Sequence, residues 1–196
     1  MAKLYFYYAS MNAGKSTTLL QASFNYRERG MHTMLFTAAI DDRTRAGVIS
    51  SRIGLEADAH MFAAETDMRA AVAAQHAVTP LACVLVDEAQ FLTKRQVFDL
   101  ARVADEMRIP VLAYGLRTDF RAELFEGSAH LLALADVLVE LKAVCACGAK
   151  ATMNLRIDAA GRPVTSGAQT EIGGNDRYVA LCRRHFMEEW RTAQRP

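Results

Sequence analysis

The chain has 196 residues, about half of them apolar (52%) and an ordinary share charged (23%), with a formal net charge of +1. Such a length suits one domain, or one domain with a small appendage, and the composition excludes a disordered chain. Near-neutral charge gives no electrostatic case for a nucleic-acid or membrane partner, no apolar run has the length of a membrane span, and the N-terminus lacks the form of a signal peptide, so the expected location is cytoplasmic.

Residues 3–8 read as a buried strand. The stretch Ala9-Ser10-Met11-Asn12-Ala13-Gly14-Lys15-Ser16 follows, and then a helical pattern over 17–29. Strand, small-residue loop, Gly-Lys-Ser and helix is the layout of a phosphate-binding loop. Backbone N–H groups at the helix start converge on one anion. Lys15 would reach the β- and γ-phosphates of ATP, and the Ser16 hydroxyl would take a place on Mg²⁺. Ala9 stands where the usual pattern has glycine, and its Cβ is expected to restrict the first bend of the loop.

Gly30 ends the helix after two arginines. A second strand follows at 33–37, then a charged loop at 41–47 that carries either function or a solvated surface. Residues 48–53 read as a short edge strand and 66–77 as a helix stopped before Pro80. The run 81–86 is nearly continuous in apolar residues, as a central parallel strand covered on both faces would be. It ends in Asp87-Glu88-Ala89-Gln90-Phe91. Thr93 with Gln96 forms a capping-box pattern and opens a helix whose Val97, Leu100, Ala101, Ala104 and Met107 share a face. A strand at 110–114, a loop at 115–126, a helix at 128–135 and a strand at 137–144 complete the alternation. The expected class is α/β: a P-loop NTPase-like parallel sheet flanked by helices over residues 1–144. From Cys145 the helical patterns vanish. Strands at 152–157 and 164–172 and a helix at 184–194 predict a small, β-rich, zinc-binding lobe over 145–196.

Three groups of residues carry chemistry. Asp87, at the end of a buried strand after a P-loop, matches an acid that holds Mg²⁺ directly or through water. Glu88 beside it would orient a substrate hydroxyl and accept its proton, or orient water in an ATPase; alone it does not separate the two. Cys145 and Cys147, with Cys182 and His185, supply three thiols and an imidazole for a closed, structural Zn²⁺ site. The single residue between the first two cysteines is a tighter spacing than usual. Cys83 lies in an apolar run and reads as a buried small hydrophobe. Phe91, Phe120, Phe125 and Tyr178 could stack a flat base, with the backbone of Ile172-Gly173-Gly174 hydrogen-bonding its edge. Two other readings stand beside a kinase. A P-loop ATPase with a zinc ribbon lacks the expected Lys/Arg cluster in the metal segment. A non-catalytic nucleotide sensor would not need the acid pair.

The motifs 11–17, 87–91, the two metal pairs and 172–178 together resemble the type II thymidine kinases, in the bacterial branch whose last metal ligand is His. The resemblance implies transfer of the ATP γ-phosphate to the 5′-hydroxyl of thymidine, giving dTMP and ADP for deoxynucleoside salvage. It makes Glu88 the catalytic base, puts Lys15, Ser16 and Asp87 on phosphate and magnesium, and includes Gln90 in the ATP-side acid motif. Met11, Phe91, Leu116, Phe120, Phe125 and Tyr178 would enclose the nucleoside, while main-chain groups at Ile172 and Gly174, on a lasso-like loop, would read the thymine. Arg43 and Arg156 would act in or around the site. The resemblance further implies a homotetramer, inhibition by dTTP, and neither nucleic-acid nor membrane partners.

Overall fold

A computed structural model describes residues 1–40, 45–170 and 177–193. The N-terminal apolar run forms β1 (Leu4–Ala9), and the chain passes through the loop at 10–14 into α1 (Lys15–Arg27) and β2 (His32–Ala38). A hairpin follows, β3 (Val48–Ser50) with β4 (Glu56–Asp58), then β5 (His60–Phe62), α2 (Met68–Val78) and β6 (Leu81–Val86). A 3₁₀ turn at Ala89–Phe91 leads to α3 (Lys94–Glu106), β7 (Val111–Leu116), α4 (Glu126–Leu134) and β8 (Val137–Glu140). Six of these strands form one parallel sheet in the order β5-β2-β6-β7-β1-β8. The α/β expectation is met.

Strand periodicity divides the core. Val84 and Val86 of β6 face the layer of α2, α3 and α4, together with Phe6, Phe36, Val72, Val97, Leu100 and Leu131. Cys83 and Leu85 face α1, with Leu19, Leu20, Leu35 and Tyr114. A sheet covered on both faces explains why β6 carries no polar alternation. The capping box is present: Thr93 Oγ1 accepts from the N–H of Gln96, whose side-chain oxygen accepts from the Thr93 N–H. The buried Gln96 amide also donates to the carbonyl of Ala63 at 2.7 Å, tying α3 to the segment before α2.

The second lobe contains β9 (Ala143–Val144) paired with β10 (Lys150–Ala151), then β11 (Met153–Ile157), β12 (Pro163–Val164), β13 (Tyr178–Leu181) and α5 (Arg183–Ala193). β11 is the centre of an antiparallel sheet, with β12 on one edge and β13 on the other. Met153, Leu155, Leu181 and Phe186 pack with Cys145 and Cys182 in a separate core, against which Trp190 stacks on Phe186 at 5.5 Å.

Several local expectations change. Residues 48–53 do not join the main sheet; β3 turns back on β4, and the edge strand is β5, whose three residues are too few to show a period. The run 137–144 is two strands, because the chain leaves the main sheet after Glu140 and enters the second lobe at Ala143. The strand expected over 164–172 ends at Val164 within the described residues, and residues 171–172 lie outside them. β13, not anticipated, supplies the missing pairing for β11.

Candidate active site and metal centre

The phosphate loop begins later than the glycine pattern suggests. Ala9 is still extended strand, paired with Leu116 of β7 and buried. The left-handed residues are Asn12 (φ 63°) and Gly14 (φ 79°). Asn tolerates that conformation and Gly adopts it freely, so the bend falls where the sequence permits it. The expected restriction at Ala9 therefore does not arise. α1 has neither a side-chain cap nor an acidic residue in its first turn, so its N-terminal N–H groups are left for an anion.

Lys15, almost fully buried, donates from Nζ to the Ser10 carbonyl at 3.0 Å, which folds its ammonium back along the loop. The Ser16 hydroxyl donates to Asp87 Oδ2 at 2.8 Å. That bond joins the start of α1 to the residue that follows β6, 71 residues away in sequence, because β1 and β6 run parallel with β7 between them and bring both to the same end of the sheet. Burial, and then the neighbouring Glu88, raise the Asp87 carboxyl to about 7. Such a group is a ready partner for a cation, which would favour its charged form.

Glu88 follows in the left-handed region (φ 53°, ψ 37°). A bulky residue there carries strain of about 1 kcal/mol or more, and strain of this kind is held by its surroundings. The surroundings are visible. The Gln90 side-chain amide donates to Glu88 Oε2, while Gln90 Oε1 accepts from the Leu116 N–H at 3.0 Å. Gln90 is thus a strut between the acid and β7. Gly115 and Gly127 give it room: an added Cβ would lie 2.9 Å from Gln90 Oε1 at the first, and 2.4 Å from the Ala89 carbonyl oxygen at the second.

Met11 to Thr17, Asp87, Glu88 and Leu116 line one cleft of about 440 Å³. Its remaining wall, Val48 to Ile53, comes from the β3–β4 hairpin, which the sequence did not mark as functional. Phe91 and Phe125 meet edge to face at 5.9 Å. Phe120 is buried under the Arg156 guanidinium, 3.8 Å above its ring. Arg156 also donates to the carbonyls of Ser166 and Ala168, at 2.8 and 3.2 Å, and its strand position pairs with Tyr178. The guanidinium therefore pins the chain after β12 onto the aromatic wall. Arg43, Ile172 and Gly174 lie outside the described residues.

Sequence reasoning missed two polar anchors here. The Asp119 carboxylate accepts from the N–H groups of Arg121 and Glu123, at 2.8 and 2.9 Å, and so shapes the turn that carries Phe120. Asn154 sits inside β11 between Met153 and Leu155, only 2% exposed, with one bond to the phosphate loop and one to the loop after β7. The alternation Met153-Asn154-Leu155-Arg156-Ile157 reads as a strand with one solvated face, so the sequence carries no signal that Asn154 is buried and partnered.

The donor atoms of Cys145, Cys147, Cys182 and His185 all lie within 4.8 Å of one another. Cys147 Sγ is 3.9 Å from Cys182 Sγ, and Cys145 Sγ is 3.3 Å from His185 Nδ1. Ligands at the usual Zn–S length of about 2.3 Å would be about 3.8 Å apart in a tetrahedron, so the set fits zinc. The tight Cys145–Cys147 spacing is accommodated by a turn in which the Gly148 N–H donates to the Cys145 carbonyl, with Gly148 at φ 82°. N–H groups of Cys147 and then Cys182, followed by His185, lower the Cys145 thiol to about 6, toward the thiolate that a metal requires.

Comparison with known proteins agrees with this arrangement. A family model described as thymidine kinase matches residues 2–186. A thymidine kinase of Novosphingobium aromaticivorans is 73% identical over 188 residues, covering 96% of this chain and 98% of that one. One from Zymomonas mobilis is 68% identical over 189 residues, with the same coverage, and one from Vibrio cholerae is 58% identical over 188. The chain belongs to the thymidine kinase family.

Proposed function

We propose that this protein transfers the γ-phosphate of ATP to the 5′-hydroxyl of thymidine, giving dTMP and ADP, with residues 1–144 binding the nucleotide and the lobe from Cys145 onward covering the nucleoside. The observation that carries this reading is the strained, braced Glu88 on the floor of a P-loop cleft, in a chain of this family. N–H groups at the start of α1 and the Lys15 ammonium hold the β- and γ-phosphates and stabilise charge on them in the transition state. Glu88 orients the 5′-hydroxyl and takes its proton as the oxygen bonds to phosphorus and the bond to the β-phosphate oxygen breaks. A weak base suffices, because the transition state is loose and asks for little early deprotonation. Gln90 fixes the carboxylate against β7, so that its position does not depend on substrate.

Ser16 and Asp87 are the residues that would hold Mg²⁺, which when bound with ATP neutralises charge on the phosphates. Cys145, Cys147, Cys182 and His185 would hold Zn²⁺ structurally. Met11, Leu116, Phe91, Phe125, Phe120 and Tyr178 enclose the nucleoside, with Ile172 and Gly174 contributing main-chain groups to the base and Arg43 and Arg156 supporting it. The reading includes a cytoplasmic homotetramer inhibited by dTTP. Supporting the location, no helix among the described residues is long and apolar enough to cross a membrane. The test is to incubate the protein with ATP, Mg²⁺ and each nucleoside in turn. Formation of dTMP from thymidine is expected; release of free phosphate alone, or no turnover, would overturn the reading.

A further inference from the structure

The phosphate loop is held from outside the phosphate-binding fold. Asn154 Oδ1 accepts from the Met11 N–H at 2.7 Å, and its Nδ2 donates to the Thr118 carbonyl at 3.1 Å. The Ser10 hydroxyl, one residue earlier, donates to the Ala151 carbonyl at 3.2 Å. Ala151 and Asn154 belong to the second lobe, and Thr118 to the loop that follows β7. One carboxamide thus bridges three segments: the loop that meets ATP, the loop leading to Phe120, and the lobe that carries the metal ligands. Its donor and acceptor are both used, in a place with almost no access to water.

The bridge also decides what Met11 can do. An N–H committed to Asn154 does not point at a phosphate, so the anion falls to the N–H groups farther along, toward Gly14 and α1. Asn12, in the left-handed conformation directly after Met11, is where the loop reverses, and fixing the Met11 amide fixes the start of that reversal. A partly buried N–H that loses its acceptor must find another partner, so the start of the loop would shift.

We propose that Asn154 is a positioning residue for the ATP site: through Met11 it sets the phosphate loop from the second lobe, while Thr118 keeps that lobe in register with the nucleoside wall. This rests on the reading that residues 9–16 hold the ATP phosphates. Asn154 touches no substrate in this account; its larger effect falls on the nucleotide, through the phosphate loop, and a smaller one on the nucleoside, whose wall the Thr118 bond supports.

The test compares Asn154→Leu and Asn154→Asp with the unaltered protein, in steady-state kinetics and in equilibrium binding of a non-hydrolysable ATP analogue and of thymidine. Leu nearly matches the shape and removes both bonds; Asp keeps an oxygen facing the Met11 N–H. Asn154→Leu is expected to raise the KM for ATP and the analogue Kd about tenfold, the equivalent of one lost hydrogen bond, with a smaller loss, about threefold, for thymidine. Asp restores an acceptor for Met11 but sets a carboxylate oxygen against the Thr118 carbonyl, so it should recover the loss in part at most. If the Leu variant does not fold, Asn154→Ala, which leaves room for a water, should give the same ATP-selective effect in weaker form. Unchanged analogue affinity, or equal losses for both substrates, would overturn the proposal. Failure of the unaltered protein to bind the analogue would instead overturn the assignment of residues 9–16.

Discussion

Gly127 offers a sharp test of how Glu88 is held. It is the second residue of α4, and a Cβ there would lie 2.4, 2.8 and 2.9 Å from the carbonyl oxygens of Ala89, Leu92 and Gln90. An ordinary carbon–oxygen contact is about 3.3 Å, so Gly127→Ala must displace the 3₁₀ turn or the helix by about 0.9 Å. On an open helix this substitution would add about 1 kcal/mol of stability through backbone entropy. Here the atoms met are backbone, from one short turn, and overpacking costs about 3 kcal/mol at the upper end of its usual range. The net expectation is a loss of about 2 kcal/mol, or about 4–8 °C in Tm for a chain of this size. The function suffers more. The displaced turn starts directly after Glu88 and includes Gln90, its brace. A misplacement near 1 Å costs about 10²-fold in rate where geometry limits the reaction. Calorimetry and initial rates at saturating ATP and thymidine would measure both effects. A Tm equal to or above that of the unaltered protein, with kcat unchanged, would show that the turn yields freely and that α4 does not position the acid.

Two further outcomes follow from the metal centre and from Asp87. Elemental analysis should find about one zinc per chain, and Cys182→Ala should lose the metal and lower the Tm, since binding free energy of such sites is folding free energy; an intact, metal-free protein with normal stability would contradict this. The Asp87 carboxyl is raised to about 7 from an ordinary 3.8, chiefly by burial and then by Glu88. Its protonated form is favoured in the folded state, so its contribution is full below about pH 4 and is lost as pH rises toward and through about 7, by up to about 1.4 kcal/mol per pH unit. Without nucleotide or Mg²⁺, Asp87→Asn should therefore gain stability relative to the unaltered protein between pH 4.5 and pH 8; a gap that stays flat or narrows would contradict the assignment.

Much of this was legible in the sequence because the relevant physics is local. The continuous apolar run at 81–86 announced a strand buried on both faces, and Thr93 with Gln96 announced a helix start, since capping needs only four consecutive residues. The loop chemistry of Gly14-Lys15-Ser16 was likewise written in adjacent residues. Where partners lie far apart in sequence, the reading thinned. The β3–β4 hairpin gives the cleft a wall, yet 48–58 mixes polar and apolar residues because it sits above the sheet rather than in it. β13 was invisible until β11 required a second neighbour. The glycine pattern puts the bend at Ala9, whereas it lies at Asn12, which the pattern does not single out. Asn154 reads as one polar position of an alternating strand, because its partners, Met11 and Thr118, are 143 and 36 residues away.

The claim at the centre is that Glu88, braced by Gln90, takes the proton of the acceptor hydroxyl. Glu88→Gln keeps the shape and an oxygen for the Gln90 amide, and removes only the basic carboxylate. Single-turnover transfer with ATP and thymidine both saturating is the direct measurement, with analogue binding beside it. The rate should fall about 10²-fold or more while affinity for the ATP analogue stays within about threefold. A variant that transfers phosphate at the unaltered rate would contradict the account.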